Sequence, residues 1–105
     1  MSSREDILET VTAIIDLLTA HGDVYVVKRL RADRDRLERH DPGARRSLLS
    51  EATGSMGSLR DRYLSAGNGD RVAEAERENV NTRLGALVAL LAQQTQPART
   101  SDLRS

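Results

Sequence analysis

The sequence of 105 residues contains no cysteine, no tryptophan and no phenylalanine. Without cysteine, the chain cannot form disulfides, attack a substrate with a thiolate or hold zinc through sulfur. Without the two large apolar aromatics, its core has to be aliphatic, and fourteen leucines, seven valines and three isoleucines are available. These absences exclude thiol enzymes and cysteine-ligated zinc modules.

An excess of charge and a long apolar run are missing as well. The 16 basic and 16 acidic residues cancel, so the net charge favours neither nucleic acid nor an anionic membrane and does not oppose self-association. The longest apolar run, residues 84–92, is too short to span a membrane. Glu5 and Asp6 stand where a signal peptide would be basic. We therefore expect a cytoplasmic protein without a membrane partner.

The first segment, residues 3–20, carries apolar residues at helical spacing across a wide stripe. A capping box at its start is formed either by Ser2 with Glu5 or by Ser3 with Asp6. The segment therefore predicts an apolar helix at the centre of the core.

Glycine-rich breaks divide the rest of the chain. Gly22 is placed to end the first helix, and Gly54 to end the third in a left-handed conformation. At the break between them, Asp41 serves as an N-cap and Pro42 as a first helical residue. The helices predicted after the first cover residues 23–39, 42–53, 58–65 and 70–94.

The second segment is ambiguous at its start. Residues 24–27 are β-branched or aromatic and fit either a short strand or the first turn of a helix. The residues that follow are strong helix formers. We expect one helix capped by Asp23, and the strand remains the alternative.

These segments predict an all-α fold, a compact bundle of four to five helices whose apolar N-terminal and C-terminal helices form the core. We expect a single helical domain over residues 1–95 and a disordered tail over 96–105. The second half of the last helix is apolar on nearly every side, which predicts burial by several neighbours or by another copy of the chain. Small residues there permit close helix approach: Gly85, Ala86, Ala89 and Ala92.

The stretch G-S-M-G-S-L-R-D-R-Y at 54–63 raises the question of a phosphate-binding loop. No lysine follows as a P-loop requires, and a helix rather than a strand precedes it. The interpretation that fits best is structural: Gly57 permits a tight turn, Ser58 caps a helix together with Asp61, and Met56 points into the core. The alternatives are a protein-binding elbow and an anion site on the amides of residues 57–59, helped by four arginines: Arg45, Arg46, Arg60 and Arg62.

The other charged groups indicate no reaction chemistry. Acids are interspersed with the bases of residues 28–46, which is typical of a solvated, salt-bridged face rather than a nucleic-acid site. His21 and His40 lack the spacing of a metal pair, and Glu74 and Glu78 read as exposed. We predict no catalytic residue, no metal site and no cofactor.

The segment T-G-S-M-G-S-L-R-D-R-Y-L, followed by G-N-G and R-E-N-V-N-T-R-L, resembles a small group of bacterial helical proteins built around a G-M-G-S-[LF]-x-D core. The resemblance covers about residues 17–91. Ser55 and Arg60 depart from the pattern, which tends to have Gly and Asn there. The matching residues are Met56, Gly57, Ser58, Leu59, Asp61, Asn79, Asn81 and Leu84. No activity is known for the group, so the resemblance implies a small helical bacterial protein and no mechanism.

The functional expectation is a non-enzymatic interaction protein that binds another protein through its second helix and the Met56 elbow. Neutralisation of a partner, as immunity proteins and antitoxins do, is one version, and a homodimer is another expectation. The alternative is an anion- or nucleic-acid-binding protein that uses the local arginine cluster, although we do not expect nucleic acid as the partner. The candidate binding residues are Met56, Gly57, Ser58, Arg60, Asp61, Arg62, Arg45 and Arg46.

Overall fold

The computed structural model describes residues 3–54, 59–62, 64 and 71–96 of the chain. These residues form an all-α bundle, as predicted, and no strand occurs among them. Its elements are α1 (Arg4–Ala20), α2 (Tyr25–Glu38), α3 (Gly43–Thr53) and α4 (Arg77–Thr95), with single 3₁₀ turns at Leu59–Asp61 and Glu74–Glu76. No helix in this part of the chain is long and apolar enough to cross a bilayer.

Both ends of α1 follow from local chemistry. The Ser3 hydroxyl accepts a hydrogen bond from the Asp6 amide at 3.2 Å, and the Asp6 carboxylate accepts one from the Ser3 amide at 3.3 Å. Of the two predicted capping boxes, the second is therefore present. Gly22 ends the helix at φ +88°, and its amide donates to the Thr19 carbonyl at 3.1 Å. A left-handed glycine at this position is what the sequence predicts.

The second segment forms a helix and not a strand. Asp23 Oδ1 accepts hydrogen bonds from the amides of Val26 at 3.0 Å and Val27 at 3.2 Å, which satisfies two donors in the first turn. The predicted cap is confirmed, although Asp23 acts from one residue before the cap position, which Val24 occupies. Val26 and Val27 are both buried, so tertiary packing overrides their preference for strands.

The end of α3 differs from the prediction. Gly54 follows the helix, but its φ of −72° and ψ of −179° are extended and not left-handed. The chain therefore leaves α3 without folding back over its last turn. The next described amide, that of Leu59, bonds instead to the Glu51 carboxylate of α3 at 2.9 Å.

The last helix begins later than the predicted residue 70. The Arg71 amide donates to the His21 carbonyl at 2.8 Å, and Val72 is buried, so this segment is anchored in a non-helical form beside the end of α1. Regular α-helix starts only at Arg77, after the Glu74–Glu76 turn. Tertiary contacts override the high helix propensity of this charged stretch.

The helices are neighbours in the order α1, α2, α3 and α4, and α4 returns to pack against α1. The end of α4 lies beside the start of α1, where Gln94 reaches the Asp6 carbonyl at 3.5 Å. The interior is aliphatic, and α1 and α4 supply much of it, as the sequence predicts. Its largest fully buried side chains are Ile7, Val11, Ile14, Leu18, Leu30, Leu48, Leu59, Leu64, Leu84 and Leu91.

Candidate functional site

The outer face of α4 is exposed in the single chain, so the several neighbours predicted to bury the second half of this helix cover only its inner side. Leu84, Val88 and Leu91 point into the bundle and are buried, but the opposite side of the helix is exposed. Leu90 has 41% of its surface accessible. The other exposed residues of this face are Thr82, Arg83, Gly85, Ala86, Ala89 and Gln93.

A groove of about 520 Å³ runs along one edge of this face, between α4, the end of α3 and the Leu59–Asp61 turn. Leu59, Leu84 and Val88 contribute apolar side chains to it, and Arg60 and Arg62 line its polar side. The remaining lining residues are Ala52, Thr53, Asn81, Gly85, Ala89 and Ala92. The groove is therefore apolar, with cationic groups on one side.

Gly85 and Ala89 leave the α4 side of the groove without large side chains. A Cβ placed on Gly85 would meet no heavy atom within 4 Å, apart from the nearby backbone of its own helix. The glycine is thus not required by packing within the bundle. Small residues on an exposed helix face allow a second helix to approach closely.

At the other edge of the α4 face the charged residues supplied by α1 are acidic, and the exposed Arg83 of α4 lies two turns before Leu90 on the same side. Leu90 lies there beside the first half of α1, in a smaller hollow of about 240 Å³. Asp6 and Glu9, both exposed, line this hollow. The helix face therefore has a protruding leucine with acids on one edge and an apolar groove with arginines on the other.

Polar side chains fix the segment that forms the far wall of the groove. Glu51 accepts the Leu59 amide through one oxygen and pairs with Arg29 Nε at 2.7 Å through the other. Asp23 pairs with Arg62 Nε at 2.7 Å, and the side chains are only 4% and 19% exposed, respectively. Both ion pairs therefore have a structural role at the groove.

The side chain of Asn81 in α4 forms hydrogen bonds with both backbone groups of Leu64. Its Oδ1 accepts the Leu64 amide at 2.7 Å, and its Nδ2 donates to the Leu64 carbonyl at 2.8 Å and to the Arg77 carbonyl at 2.8 Å. The neighbouring Asn79 is exposed. The carboxamide of Asn81 thus replaces a backbone partner for the chain at Leu64.

A second polar connection joins α2 to α3. Asp33 is 5% exposed, and the Ser47 hydroxyl contacts both carboxylate oxygens at 2.9 Å. Arg36 Nη1 lies 3.4 Å from the same group. Burial raises the pKa of the Asp33 carboxyl above its ordinary value, and the Ser47 hydrogen bond opposes that shift. Asp33 lies three residues after Leu30 and four before Leu37, so helical spacing places it on the buried face although its sequence neighbours are charged.

The predicted binding residues are distributed over two places. Arg60 and Arg62 line the groove, whereas Arg45 lines a separate hollow at the start of α3, and Arg46 is exposed beside it. The four arginines therefore do not surround one hollow. Asp61 belongs to the Leu59–Asp61 turn; its side chain, together with Met56, Gly57 and Ser58, lies outside the described residues.

Leu90 and the acids beside it were not predicted as site residues. A signal for Leu90 existed, because Leu84, Val88 and Leu91 define the inner stripe at helical spacing and Leu90 falls outside it.

Within the described ranges, no group of three or more histidine, aspartate or glutamate side chains could hold a metal ion. Comparison of the chain with protein-family models, curated proteins and solved structures finds no match.

Proposed function

We propose that this chain is a non-enzymatic protein-interaction module that pairs with a second copy of itself through the outer face of α4. The observation that carries the proposal is self-complementarity on one helix face. An exposed leucine flanked by Asp6 and Glu9 occupies one edge, and an apolar groove flanked by Arg60 occupies the other.

The symmetry of a dimer fits this arrangement. A two-fold axis parallel to α4 sets the two α4 helices side by side and brings the leucine edge of each copy against the groove edge of the other. Each Leu90 then faces the partner's groove, and the acids beside it face the partner's arginine edge. Two identical contacts form at once.

The physical driving force is apolar burial. Removing the exposed surface of Leu90 and the groove lining from water is favourable at roughly 25 cal/mol per Å². Gly85 and Ala89 allow a short distance between the two helices, and the zero net charge leaves little overall repulsion. The anion-binding alternative, with four arginines acting together, has less support because Arg45 and Arg60 line different hollows.

The test is the molar mass in solution, measured by light scattering and analytical ultracentrifugation from low to high micromolar protein. We expect the wild-type chain to approach twice its 11.6 kDa mass as concentration rises, and Leu90→Lys to remain a monomer with unchanged helical circular dichroism. Val24→Lys is the matched control, since Val24 is 67% exposed at the start of α2 and is not among the lining residues of the groove.

Other occupants of the groove give different results. A wild-type chain that stays monomeric throughout the range overturns self-pairing. In that case, a partner protein that binds the wild type but not Leu90→Lys would identify a helix from a different protein as the occupant. The chain's own residues 97–105 would be the occupant if a chain ending at Gln96 formed dimers that the full chain did not.

A further inference from the structure

The groove beside α4 has the dimensions of a small-molecule site. Its volume of about 520 Å³ lies within the range of roughly 300–1,000 Å³ that is usual for ligand pockets. Its lining follows α4 from Asn81 to Ala92, a length of about 16 Å at 1.5 Å per residue. An alkyl chain of medium length can therefore lie along the groove.

The apolar part of the lining is aliphatic. Leu59, Leu84 and Val88 supply its larger side chains, and no aromatic ring occurs among the described lining residues. Gly85 and Ala89 are exposed, and a Cβ on Gly85 would meet no heavy atom within 4 Å, apart from the nearby backbone of its own helix. The space beside Gly85 therefore suits a flexible aliphatic chain, and no side chain is placed there to stack on a flat ring.

The charges that the described residues bring to this lining have one sign. Arg60 and Arg62 are both present, and no acid is found with them in this part of the structure. Arg62 is engaged, because its Nε lies 2.7 Å from the Asp23 carboxylate. Arg60 is exposed, and no ion pair or hydrogen bond engages its side chain within the described ranges. One accessible cation therefore remains, which fits a ligand with a single negative charge.

We propose that the groove binds the free anion of an aliphatic monocarboxylic acid and that this ligand regulates self-pairing through α4. The alkyl chain lies along Leu84, Gly85 and Val88, where its removal from water is favourable. The carboxylate accepts hydrogen bonds from the Arg60 guanidinium, a donor suited to carboxylate oxygens.

The ligand presents the same chemistry as the leucine edge of a second copy. In the proposed dimer, Leu90 and the neighbouring Glu9 of each copy face the groove and Arg60 of the other. The ligand likewise combines an aliphatic group with a carboxylate, so its binding and self-pairing exclude each other. This competition rests on the proposed function, whereas the binding of the ligand to a single chain does not.

Leu90→Lys separates ligand binding from self-pairing, because Leu90 is not among the lining residues of the groove. The probe is sodium decanoate below its micelle concentration, added to this full-length variant at constant neutral pH and ionic strength while NMR follows the backbone amides. We expect saturable shifts at Gly85, Val88 and Ala89 and none at the exposed Lys28 of α2. Octanoate should bind about fivefold more weakly, since complete burial of two methylenes contributes roughly fifteenfold and the open groove buries each only in part.

Two substitutions in the Leu90→Lys background test the contacts. Arg60→Gln is expected to weaken decanoate binding about fivefold and to leave the binding of uncharged decanol unchanged. Gly85→Leu fills the groove and should weaken the binding of both about tenfold. Arg46→Gln is the matched control, since Arg46 is exposed and does not line the groove.

Three results would overturn the ligand site: no saturable shift at the groove, shifts of equal size in all helices, or unchanged decanoate binding in Arg60→Gln with retained helical circular dichroism. In the wild type, decanoate at concentrations that saturate Leu90→Lys should convert dimer into monomer in analytical ultracentrifugation. A dimer that persists with decanoate bound would overturn the competition. A wild type that is monomeric without decanoate would contradict self-pairing, and saturable shifts in Leu90→Lys would still establish the ligand site.

Discussion

Asp33 illustrates how a single residue escapes sequence analysis. It lies in a run of charged residues that predicts a solvated face, and its neighbours are indeed exposed or half-buried. Asp33 itself is buried between α2 and α3, where Ser47 supplies the hydrogen bonds that a buried carboxylate needs. Helical spacing places Asp33 on the inner face of α2, between Leu30 and Leu37, but its hydrogen-bond partner is supplied only by the approach of α3.

The burial of Asp33 makes stability depend on pH in a defined direction. Because its pKa is raised in the folded state, its contribution to stability is complete below the ordinary value of 3.8 and declines as pH rises through the folded-state pKa. The free energy of unfolding of the wild type, relative to Asp33→Asn, should therefore fall between acid and neutral pH. Urea titrations across that range measure it.

Asp41→Asn is the contrasting control, because the pKa of Asp41 is lowered by Arg36. The contribution of the Asp41 carboxylate to the free energy of unfolding is present above pH 3.8 and is lost only as pH falls below that value. The prediction for Asp33 would be contradicted if the free energy of unfolding of the wild type, relative to Asp33→Asn, increased towards neutral pH. That result would show that the buried carboxylate is stabilised in its charged form.

Asn81 is a second residue whose role depends on a distant partner. We predict that Asn81→Ala lowers the free energy of unfolding by about 2 kcal/mol, because it leaves the amide and carbonyl of the buried Leu64 without their partner. Asn79→Ala is the matched control on the same helix, and its exposed position predicts a change within about 0.5 kcal/mol. Equal losses of unfolding free energy in the two variants would contradict a specific role of the Asn81 side chain.

At the scale of elements, local signals account for much of the helical pattern and for several of its caps, although not for the extended Gly54 after α3. The Ser3 capping box, the Asp23 cap and the left-handed Gly22 are each short-range features, and each is found. The start of α4 is different, because contacts with the end of α1 hold residues 71 and 72 in a non-helical form. Sequence periodicity cannot detect a boundary that a distant element imposes.

Gly85 provides a test of the exposed face of α4. In a Leu90→Lys background, where pairing is removed, Gly85→Ala should raise the free energy of unfolding by about 1 kcal/mol, since alanine favours helix and its Cβ meets no neighbour. Chemical denaturation measures the change. A loss of stability would mean that the groove beside Gly85 is filled by the chain itself.

At the scale of the whole molecule, the sequence predicts the bundle but only part of the candidate site. Arg60 and Arg62 line the apolar groove, whereas Arg45 and Arg46 lie elsewhere, because α3 separates the two pairs along its length. The opposite charges on the two edges of α4 come from α1 and from the Leu59–Asp61 turn. Because α1 and this turn are distant from α4 in the sequence, their charged residues come to lie beside α4 only after folding.

Self-pairing through these two edges is tested most directly by exchanging their charges. Glu9→Arg and Arg60→Glu each place like charges at both symmetric contacts, so each alone should dimerise about tenfold more weakly at low salt. Mixing the two variants restores opposite charges at both contacts. Sedimentation equilibrium of each variant and of the mixture should show dimer recovered only in the mixture, with Arg46→Glu behaving as wild type. A mixture no more associated than its components, or variants that pair as wild type, would contradict the account.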